Sequence, residues 1–446
     1  MLKHMARRTK VLLGVVVGVP MVIAALGLAY LFFSDLEALR PTFTRYLSNE
    51  IGREFLIAGD FAADFGRVTR IEATDVSLAN PGWSGEPYMV HVDHLVAELD
   101  LLAALSGPLI FDDAEIRGAK VLFETDEEGR FNWVFSSDRP PSTQPPKPFQ
   151  LLIRHAVLHD VSVAYQRATT TEDVALEIDR LEITADEREI LDMSLSGVFE
   201  GEPAQLTGTF GTLTGLVNAD AVEHDLELRL ADATISTAGS IARVGSLSGI
   251  DATVTAEGPA LERITAILGV TDGVPGPFSS TAELTANAAG EHVDLTARLG
   301  ELEVRVQGEL DSFVKTERMD LQMSAAGPDA AGAAALFGLP TISRDEFEVS
   351  GRLRWGGFPA ALEEVQVRLG ANTLSANGTV GRPPHFDGTN FEFEGQGPDI
   401  TAIAALARVE LPADSYQMSG RLVREDDRIR FDALDARIGQ ASIAVN

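Results

Sequence analysis

The sequence has 446 residues and carries 36 Lys and Arg residues against 67 Asp and Glu residues, which gives a formal net charge of −31. A chain this acidic is repelled by phosphate backbones, and this argues against nucleic acid as a partner. The absence of cysteine excludes disulfides, Cys-ligated metals, iron–sulfur clusters and thiol catalysis.

The amino terminus has the pattern of a membrane anchor. Residues 1–10 contain four Lys or Arg residues and no acid, and the 23 residues from 11 to 33 are all uncharged. At about 1.5 Å per residue, this stretch can cross a hydrocarbon core of about 30 Å. The positive-inside rule predicts that residues 1–10 are a cytoplasmic tail and that the body lies across the membrane. A cleaved signal peptide is the alternative, but its apolar core is usually shorter, at about 7–15 residues.

Residues 34–135 mix helix-like and strand-like patterns. Apolar residues at helical spacing predict an amphipathic helix over Leu36–Ile51. Residues 136–148 contain five prolines, which predicts a stiff linker or a surface loop. Strand-like stretches lie between the two, at Glu54–Asp60, Arg70–Leu78, His91–Leu99, Leu109–Arg117 and Lys120–Glu124.

Period-two alternation dominates the rest of the chain, starting with a β-rich region over residues 149–241. Further on, Val304 and Val306 alternate with Glu303 and Arg305. Such alternation predicts sheets with one apolar and one polar face.

Residues 242–446 contain an internal repeat. Two markers recur with a period of 69 or 70 residues: a Gly-Pro pair before a helix-like stretch, and a Leu-Gly or Ile-Gly step before a strand. The pairs begin at Gly258, Gly327 and Gly397, and the steps begin at Leu299, Leu369 and Ile438. Repeats of this length predict stacked supersecondary units. The last copy is incomplete, because it stops one residue short of the glycine that earlier copies carry as Gly308 and Gly378. We therefore expect a piece of a longer array or an incomplete gene model.

No motif in the sequence indicates chemistry. His91 and His94 are three apart in a strand-like stretch and are expected on opposite faces, whereas His155 and His159 would lie about 13 Å apart on one face. The chain has no GxxxxGK[ST] phosphate loop and no GxSxG elbow. The acidic run at 126–128 is expected to be a solvated turn. The sequence thus predicts a protein that is not an enzyme, with no catalytic, cofactor-binding or metal-binding residues and no cofactor.

A set of short motifs in residues 52–135 carries a family resemblance. The motifs are Gly52-Arg53, the strand Phe55–Gly59, the stretch Asp75–Trp83 that ends in Asn80-Pro81-Gly82-Trp83, the stretch Leu99–Leu102, and the hairpin Val121–Asp126 followed by Gly129-Arg130-Phe131-Asn132-Trp133. With these motifs, the Pro-rich break and the amino-terminal anchor, the chain resembles the AsmA family of Gram-negative envelope proteins. The β-rich repeats with short helices resemble the remainder of that family more diffusely.

The resemblance implies a single-pass inner-membrane protein with a cytoplasmic amino terminus and a periplasmic body. The family is similar to TamB and to the eukaryotic chorein-type bridge proteins, whose long β-sheets curl into a groove with a hydrophobic floor. The implied fold is therefore mainly β: an elongated, curled antiparallel β-sheet groove built from repeats of about 70 residues with short helices, preceded by one transmembrane helix. The implied function is a conduit for phospholipids between the inner and outer membranes that contributes to outer-membrane integrity. Outer-membrane or envelope proteins are further candidate partners.

The residues alone leave two arrangements and several functions open. A second sheet could cover the apolar faces to give a sandwich, or a curled sheet could leave an open trough that an apolar ligand would fill. The alternative to a conduit is a scaffold or assembly factor for outer-membrane proteins, which would need exposed edge strands or surface patches. A structural spacer without a ligand is the third hypothesis.

Overall fold

The computed structural model describes residues 40–99, 109–133, 151–167 and 174–444, apart from gaps at 65, 67, 127, 129, 219, 244–247, 268–275, 288–289, 314–315, 337–342, 383–385, 405–410, 412 and 426–427. The described chain is mainly β, with 24 strands and few, short helices. It divides into two compact units. Unit 1 comprises Met1–Ala185 and Leu195–Glu200, and unit 2 comprises Asp186–Ser194 and Gly201–Asn446.

Unit 1 contains one described helix and eight strands that belong to it entirely. The helix is α1 (Arg40–Ile51), and the strands are β1 (Phe55–Ile57), β2 (Phe61–Asp64), β3 (Thr69–Ala79), β4 (Tyr88–Leu99), β5 (Leu109–Thr125), β6 (Leu151–Ile153), β7 (His155–Arg167) and β8 (Val174–Ala185). Gly52 ends α1 with a positive φ of +76°, and its N–H donates to the carbonyl of Ser48. The next strand, β9 (Ile190–Phe199), contributes residues to both units.

The sheet of unit 1 is not antiparallel throughout, which corrects the prediction. β1 and β2 both pair with β3, and β4, β5, β7 and β8 follow in that order. β5 pairs in parallel with β6 and β7, from Leu109 beside Leu151 to Thr125 beside Arg167. Parallel neighbours need a crossover connection rather than a tight turn. The predicted Pro-rich linker, residues 136–148, belongs to this connection and lies outside the described residues.

β5 is one continuous strand, where the sequence predicted two. The predicted break coincides with Gly118, whose φ is +63°. A Cβ at Gly118 would lie 2.1 Å from a carboxylate oxygen of Asp93, so only glycine fits without movement of that side chain. The chain bends at this glycine and then continues as a strand.

Similar bends lie side by side on five neighbouring strands, and we call the line that joins them the crease. On each of these strands the inward apolar residues flanking the crease are three apart instead of two, because two consecutive residues point outward, as in a β-bulge. The flanking pairs are Ala73 and Val76, Leu95 and Val92, Ile116 and Ala119, Leu158 and Val161, and Leu181 and Ile178, and all ten side chains pack in one apolar cluster. Asp75 and Asp160 have positive φ on the crease, as Gly118 does.

Unit 2 is a succession of antiparallel strands in chain order. After β10 (Glu202–Thr212) they are β11 (Val222–Leu230), β12 (Ala233–Arg243), β13 (Ser248–Gly258), β14 (Phe278–Ala286), β15 (Glu291–Leu299), β16 (Leu302–Leu310), β17 (Met319–Gly327), β18 (Phe347–Trp355), β19 (Ala360–Leu369), β20 (Asn372–Val380), β21 (Asn390–Gly397), β22 (Tyr416–Glu425), β23 (Arg428–Ile438) and β24 (Ala441–Ala444). In the described residues, β24 pairs only with β23, so the sheet of unit 2 does not close.

The described part of unit 2 also contains four short helices. They are α2 (Leu213–Asn218), α3 (Leu261–Ile267), α4 (Ala330–Leu336) and α5 (Thr401–Ala404). The last three follow the three Gly-Pro pairs, as the sequence predicts. Each of these three helices has an equivalent hydrogen bond, in which an N–H at the start of the helix donates to a carbonyl before the next strand. The three bonds are Leu261 N–H to Gly276 O, Ala330 N–H to Asp345 O, and Ile400 N–H to Asp414 O.

The predicted anchor and cytoplasmic tail lie outside the described residues. In the part of the chain that the structure describes, no helix combines the length and the apolar character that a membrane crossing requires. The membrane anchor at residues 11–33 therefore stays a prediction from the sequence.

Candidate apolar groove

One face of the unit 2 sheet carries continuous apolar rows that run across the strands. Because directly paired residues share a face, the strand registers define each row. The Val304 row contains one residue from each strand from β10 to β24: Leu206, Leu228, Ile235, Ala256, Ser280, Ala297, Val304, Ala325, Val349, Val367, Leu374, Gly395, Met418, Ala436 and Ile443. Ser280 is its one polar member.

A second row on the same face, two rows away from the Val304 row, is almost as apolar as that row. We call it the Leu321 row, and it contains Phe210, His224, Gly239, Ala252, Leu284, Val293, Gly308, Leu321, Leu353, Leu362, Gly378, Phe391, Leu422 and Phe431. Val306 lies between the two rows, paired with Leu295 and Met323.

Most side chains of the apolar face are half-buried, and no second layer of the described residues covers them. Val304 and Val306 are partly accessible, while Glu303 and Arg305 on the other face are exposed, as the alternation predicts. Within the described part of unit 2, each strand makes extensive contacts only with its neighbours in the sheet. A sandwich would bring a second set of strands against these side chains. The described residues of unit 2 therefore form an open apolar face, and we call it the groove face.

Helices close one long edge of the groove face. Ala330 of α4 is 1% exposed and packs with Leu369, which is 4% exposed, and with Phe347. Ile400, directly before α5, is 2% exposed, and Tyr416 at the start of β22 is 4% exposed. The strand ends beside α3, α4 and α5 are thus sealed, and we call this side the helix edge.

The opposite edge, which we call the loop edge, is built differently between β13 and β23. Its described connections are loops and turns, at residues 287–290, 311–318, 356–359 and 381–389, apart from the gaps given above. Phe358 and Phe386 stand in two of these loops, and each is 41% exposed. Neither residue could be recognised from the sequence, because a lone phenylalanine in a Gly- and Pro-rich loop carries no periodic signal.

Polar side chains on or beside the groove face are few and mostly engaged in structure. The Glu291 carboxylate is 3% exposed and accepts N–H groups from Gly249 at 3.1 Å and Phe313 at 2.7 Å. His224 is 7% exposed, and its Nε2 lies 2.9 Å from the Thr237 hydroxyl. Burial lowers the pKa of the His224 imidazole. A neutral ring therefore suits this apolar face.

The other face of the sheet is covered by charge pairs between strands. Arg352 holds Asp320 with two hydrogen bonds, at 2.6 and 2.7 Å, and this guanidinium lowers the pKa of the Asp320 carboxyl. Arg368 pairs with Glu348 at 2.8 Å. Because these charged side chains are solvated, their face of the sheet is stable in water, whereas the apolar groove face is not.

In unit 1 the structure brings together the two asparagines of the sequence motifs. Asn132 is 0% exposed, and its Nδ2 donates to Asn80 Oδ1 at 2.9 Å and to the carbonyl of Leu122 at 2.8 Å. Its Oδ1 accepts the N–H of Glu124 at 2.9 Å. The motif residues therefore fasten the 80–87 turn to the end of β5, which is a structural role.

Of the two motif tryptophans, Trp83 lines a cleft beside these asparagines. The cleft has a volume of about 750 Å³, and its wall includes Arg53, Trp83 and Phe131. The Arg130 guanidinium lies 6.0 Å from the Trp83 ring centre, and Phe131 stacks on Trp133 at 4.5 Å. Arg130 also pairs with Asp126, and this pairing lowers the pKa of that carboxyl.

The predicted positions of the histidines need one correction. His91 and His94 lie on the same face, because the crease at Asp93 adds one outward residue between the inward Val92 and Leu95. His91 contacts Asp75 and Asp93, at 3.7 and 3.3 Å. Among the described residues, no group of three or more His, Asp or Glu side chains could hold a metal ion.

Comparisons with known proteins agree with the motif pattern. The AsmA family model matches residues 5–331. A similar curated protein is the AsmA family protein YhjG of Escherichia coli (strain K12), which is 22% identical over 284 residues. The alignment covers 56% of this chain and 41% of that relative, so the chain matches less than half of its length. No solved structure matches the chain.

Proposed function

The chain belongs to the AsmA family, and from this premise we propose that it is a membrane-anchored conduit for phospholipids, which move with their acyl chains on the groove face of unit 2. The body would lie in the periplasm, held to the inner membrane by residues 11–33. The path would lead between the inner and outer membranes and would contribute to outer-membrane integrity.

One observation supports the proposal above all others: the Val304 row continues over all strands from β10 to β24, while no second layer of the described residues covers it. An exposed apolar surface of this extent is unfavourable in water, and such surfaces mark binding sites for apolar partners. Each methylene group of a bound acyl chain contributes about 0.8 kcal/mol when it leaves water. An acyl chain is therefore a ligand that this face would retain.

The rows also suit movement better than fixed binding. Small residues recur along them, such as Gly308 and Gly378 in the Leu321 row, and charged groups are absent from both rows as defined here. A floor without strong polar contacts offers many similar positions for an acyl chain, so that no single position holds it.

Photocrosslinking from the strand β16 tests the proposal. A photoreactive amino acid at position 304 or 306 of the full chain, in membranes, should capture phospholipid, and mass spectrometry would identify it. The same amino acid at positions 303 and 305 is the matched control on the solvated face. Capture at 304 and 306 alone would support the conduit.

The scaffold hypothesis predicts another result in the same experiment. If no lipid were captured at positions 304 and 306, and outer-membrane proteins were captured at exposed positions instead, the conduit would be refuted. The scaffold would then become the working model.

A further inference from the structure

The two long edges of the groove face differ, and this difference has a consequence for how a lipid would lie. At the helix edge, Ala330 and Ile400 are 1% and 2% exposed and close the strand ends. At the loop edge, Phe358 and Phe386 are each 41% exposed. A phospholipid has a polar headgroup that must stay hydrated, so its headgroup has to leave the groove face at an edge where water and polar groups are accessible.

The loop edge offers polar and apolar contacts together. A cleft of about 510 Å³ lies there, lined by apolar side chains that include Leu310, Met319 and Trp355. Its charged side chains are the cations Arg318 and Arg354 and the carboxylates Glu309, Asp311 and Asp320. Met319 is paired directly with Trp355 and with Leu310 in the sheet, so the cleft continues the groove face outward. Such a boundary between apolar and charged groups matches the junction of an acyl chain with a headgroup.

Arg382 supplies a cation at the same edge. Its guanidinium lies 5.8 Å from the ring centre of Phe358, and no carboxylate of the described residues forms an ion pair with it. By contrast, Arg318 and Arg354 pair with Asp311 and Glu363. On an acidic molecule, a guanidinium with no carboxylate partner among the described residues is complementary to a phosphate, and its planar donors suit phosphate oxygens.

We propose that phospholipids lie on the groove face with their headgroups toward the loop edge, where the Arg382 guanidinium on Phe358 contacts the headgroup phosphate and Phe386 lies beside the glycerol region. This inference rests on the proposed function, because it assigns an orientation to the lipids of that conduit. The helix edge then receives only the ends of the acyl chains.

Two photoreactive probes test the orientation with the full chain reconstituted in vesicles. One is a phosphatidylglycerol with the photoreactive group on its headgroup, and the other carries the same group at the end of an acyl chain. The headgroup probe should label peptides with residues 356–359 and 381–389, and the acyl probe should label β16. Headgroup labelling of α3 or α4 instead would overturn the orientation and leave the conduit intact. If neither probe labelled β16, the proposed function itself would fail.

A variant pair tests the role of the guanidinium. Arg382→Gln should lower headgroup labelling of residues 356–359 about threefold or more, since a charged hydrogen bond is lost, while acyl labelling of β16 stays unchanged. The control is Arg368→Gln, which removes a cation paired with Glu348 and should change neither label. Equal labelling in Arg382→Gln and the parent would refute the phosphate contact.

Two further outcomes would overturn the inference. If glycerol phosphate at the concentration of the probe abolished headgroup labelling, the loop edge would bind soluble phosphate esters rather than lipid. If the loops at 356–359 and 381–389 were instead protected by a protein in cells, the patch would be a protein-docking surface.

Discussion

Asn132 shows how a single polar side chain can hold a turn and a strand end together. It is fully buried, and its amide exchanges three hydrogen bonds with Asn80, Leu122 and Glu124. A buried donor or acceptor that loses its partner costs about 1–3 kcal/mol. The motif is therefore explained by stability within unit 1 and needs no ligand.

We expect Asn132→Ala to lower the free energy of unfolding of unit 1 by about 3 kcal/mol. The substitution leaves polar groups of Asn80, in the turn, and of Leu122 and Glu124, in β5, without their hydrogen-bond partner. Trp83 and Trp133 lie in unit 1 and Trp355 in unit 2, so urea unfolding followed by fluorescence in a Trp355→Phe background reports on unit 1. Asn49→Ala, at an exposed position of α1, is the control and should be neutral or slightly stabilising. A loss of less than about 1 kcal/mol for Asn132→Ala would contradict this role.

His224 makes the stability of unit 2 depend on pH. Burial lowers the pKa of its imidazole below the ordinary value of 6.5. As the pH falls through that value, the unfolded chain takes up a proton before the folded chain does, so the free energy of unfolding declines until the pH reaches the lowered pKa. Above the ordinary value the stability is fully present.

The decline between pH 7.5 and pH 5.5, roughly the range of histidine titration, should be smaller in His224→Gln than in the parent. Glutamine is neutral throughout and keeps a polar atom for the Thr237 hydroxyl. Trp355 fluorescence in denaturant titrations, in a background without the other tryptophans, measures unit 2. Asp320 and Glu303 have lowered pKa values and act only at more acidic pH, so they do not interfere. Identical slopes in the variant and the parent would remove His224 as the cause.

At the scale of elements, glycines in the Leu321 row allow strands to approach closely. Gly308 has a φ of +153°, and a Cβ there would lie 2.0 Å from the Asp320 carbonyl oxygen of the next strand. Gly239 and Gly378 occupy equivalent positions, with Cβ positions 2.1 and 2.0 Å from a facing carbonyl oxygen. The sequence revealed the period of these glycines but not its cause, because close approach of two strands is visible only in the register.

Gly308→Ala should lower the free energy of unfolding of unit 2 by roughly 2–4 kcal/mol, because the β16–β17 ladder must shift to admit the methyl group. The control is Gly356→Ala, whose nearest contact would be Arg318 Cγ at an ordinary 3.6 Å. Hydrogen exchange of β16 and β17 amides would locate the change. A similar effect of both substitutions would argue against the close-approach explanation.

The connection between β5 and β6 has a length requirement. Trp133 packs edge-on against Phe123 at 5.3 Å, while Leu151 pairs beside Leu109. These ends are about 46 Å apart along β5, from fourteen residues at about 3.3 Å each. The eighteen steps from Trp133 to Leu151 reach at most about 60–65 Å.

Deleting ten residues from the segment 136–148 should therefore break the parallel pairing, because eight steps reach only about 29 Å, which is too short even for a β5 that is bent at Gly118. Replacing the same ten residues by Gly and Ser keeps the length and should be tolerated. Protection of β7 amides from hydrogen exchange distinguishes the two variants. Retained protection in the deletion variant would contradict the crossover.

The sequence predicted most strands of this fold and missed what depends on pairing. Alternation located the strands of unit 2, and the Gly-Pro pairs located α3, α4 and α5. The parallel β5–β7 pair was missed because alternation carries no strand direction. The continuity of β5 was missed because a glycine such as Gly118 is equally compatible with a bend inside a strand and with the end of a strand.

At the scale of the whole molecule, the sequence could not distinguish a groove from a sandwich, because both need one apolar face on each strand. The structure distinguishes them within unit 2 by the absence of a covering layer in its described residues. The loop-edge residues Phe358 and Arg382 could not be predicted either, since their contact joins two loops that are distant in sequence. What the sequence did supply was the assignment of Val304 and Val306 to the apolar face.

A conduit differs from a series of separate binding sites in that a break at one strand affects strands beyond it. Asp at positions 304 and 306 would introduce two charges into the middle of the groove face, where an unpaired charge costs several kcal/mol to bury beneath an acyl chain.

In cells, lipid captured from position 374 on β20 should fall about tenfold in the Val304→Asp, Val306→Asp variant, while capture from position 228 on β11 persists. The control, Glu303→Gln with Arg305→Gln, changes charge on the solvated face of the same strand and should alter neither position. If lipid capture were lost at position 228 and retained at position 374, the path would still be continuous, but lipid would enter from the opposite end. Unchanged capture at both positions would mean separate lipid sites, and the conduit would have to be abandoned.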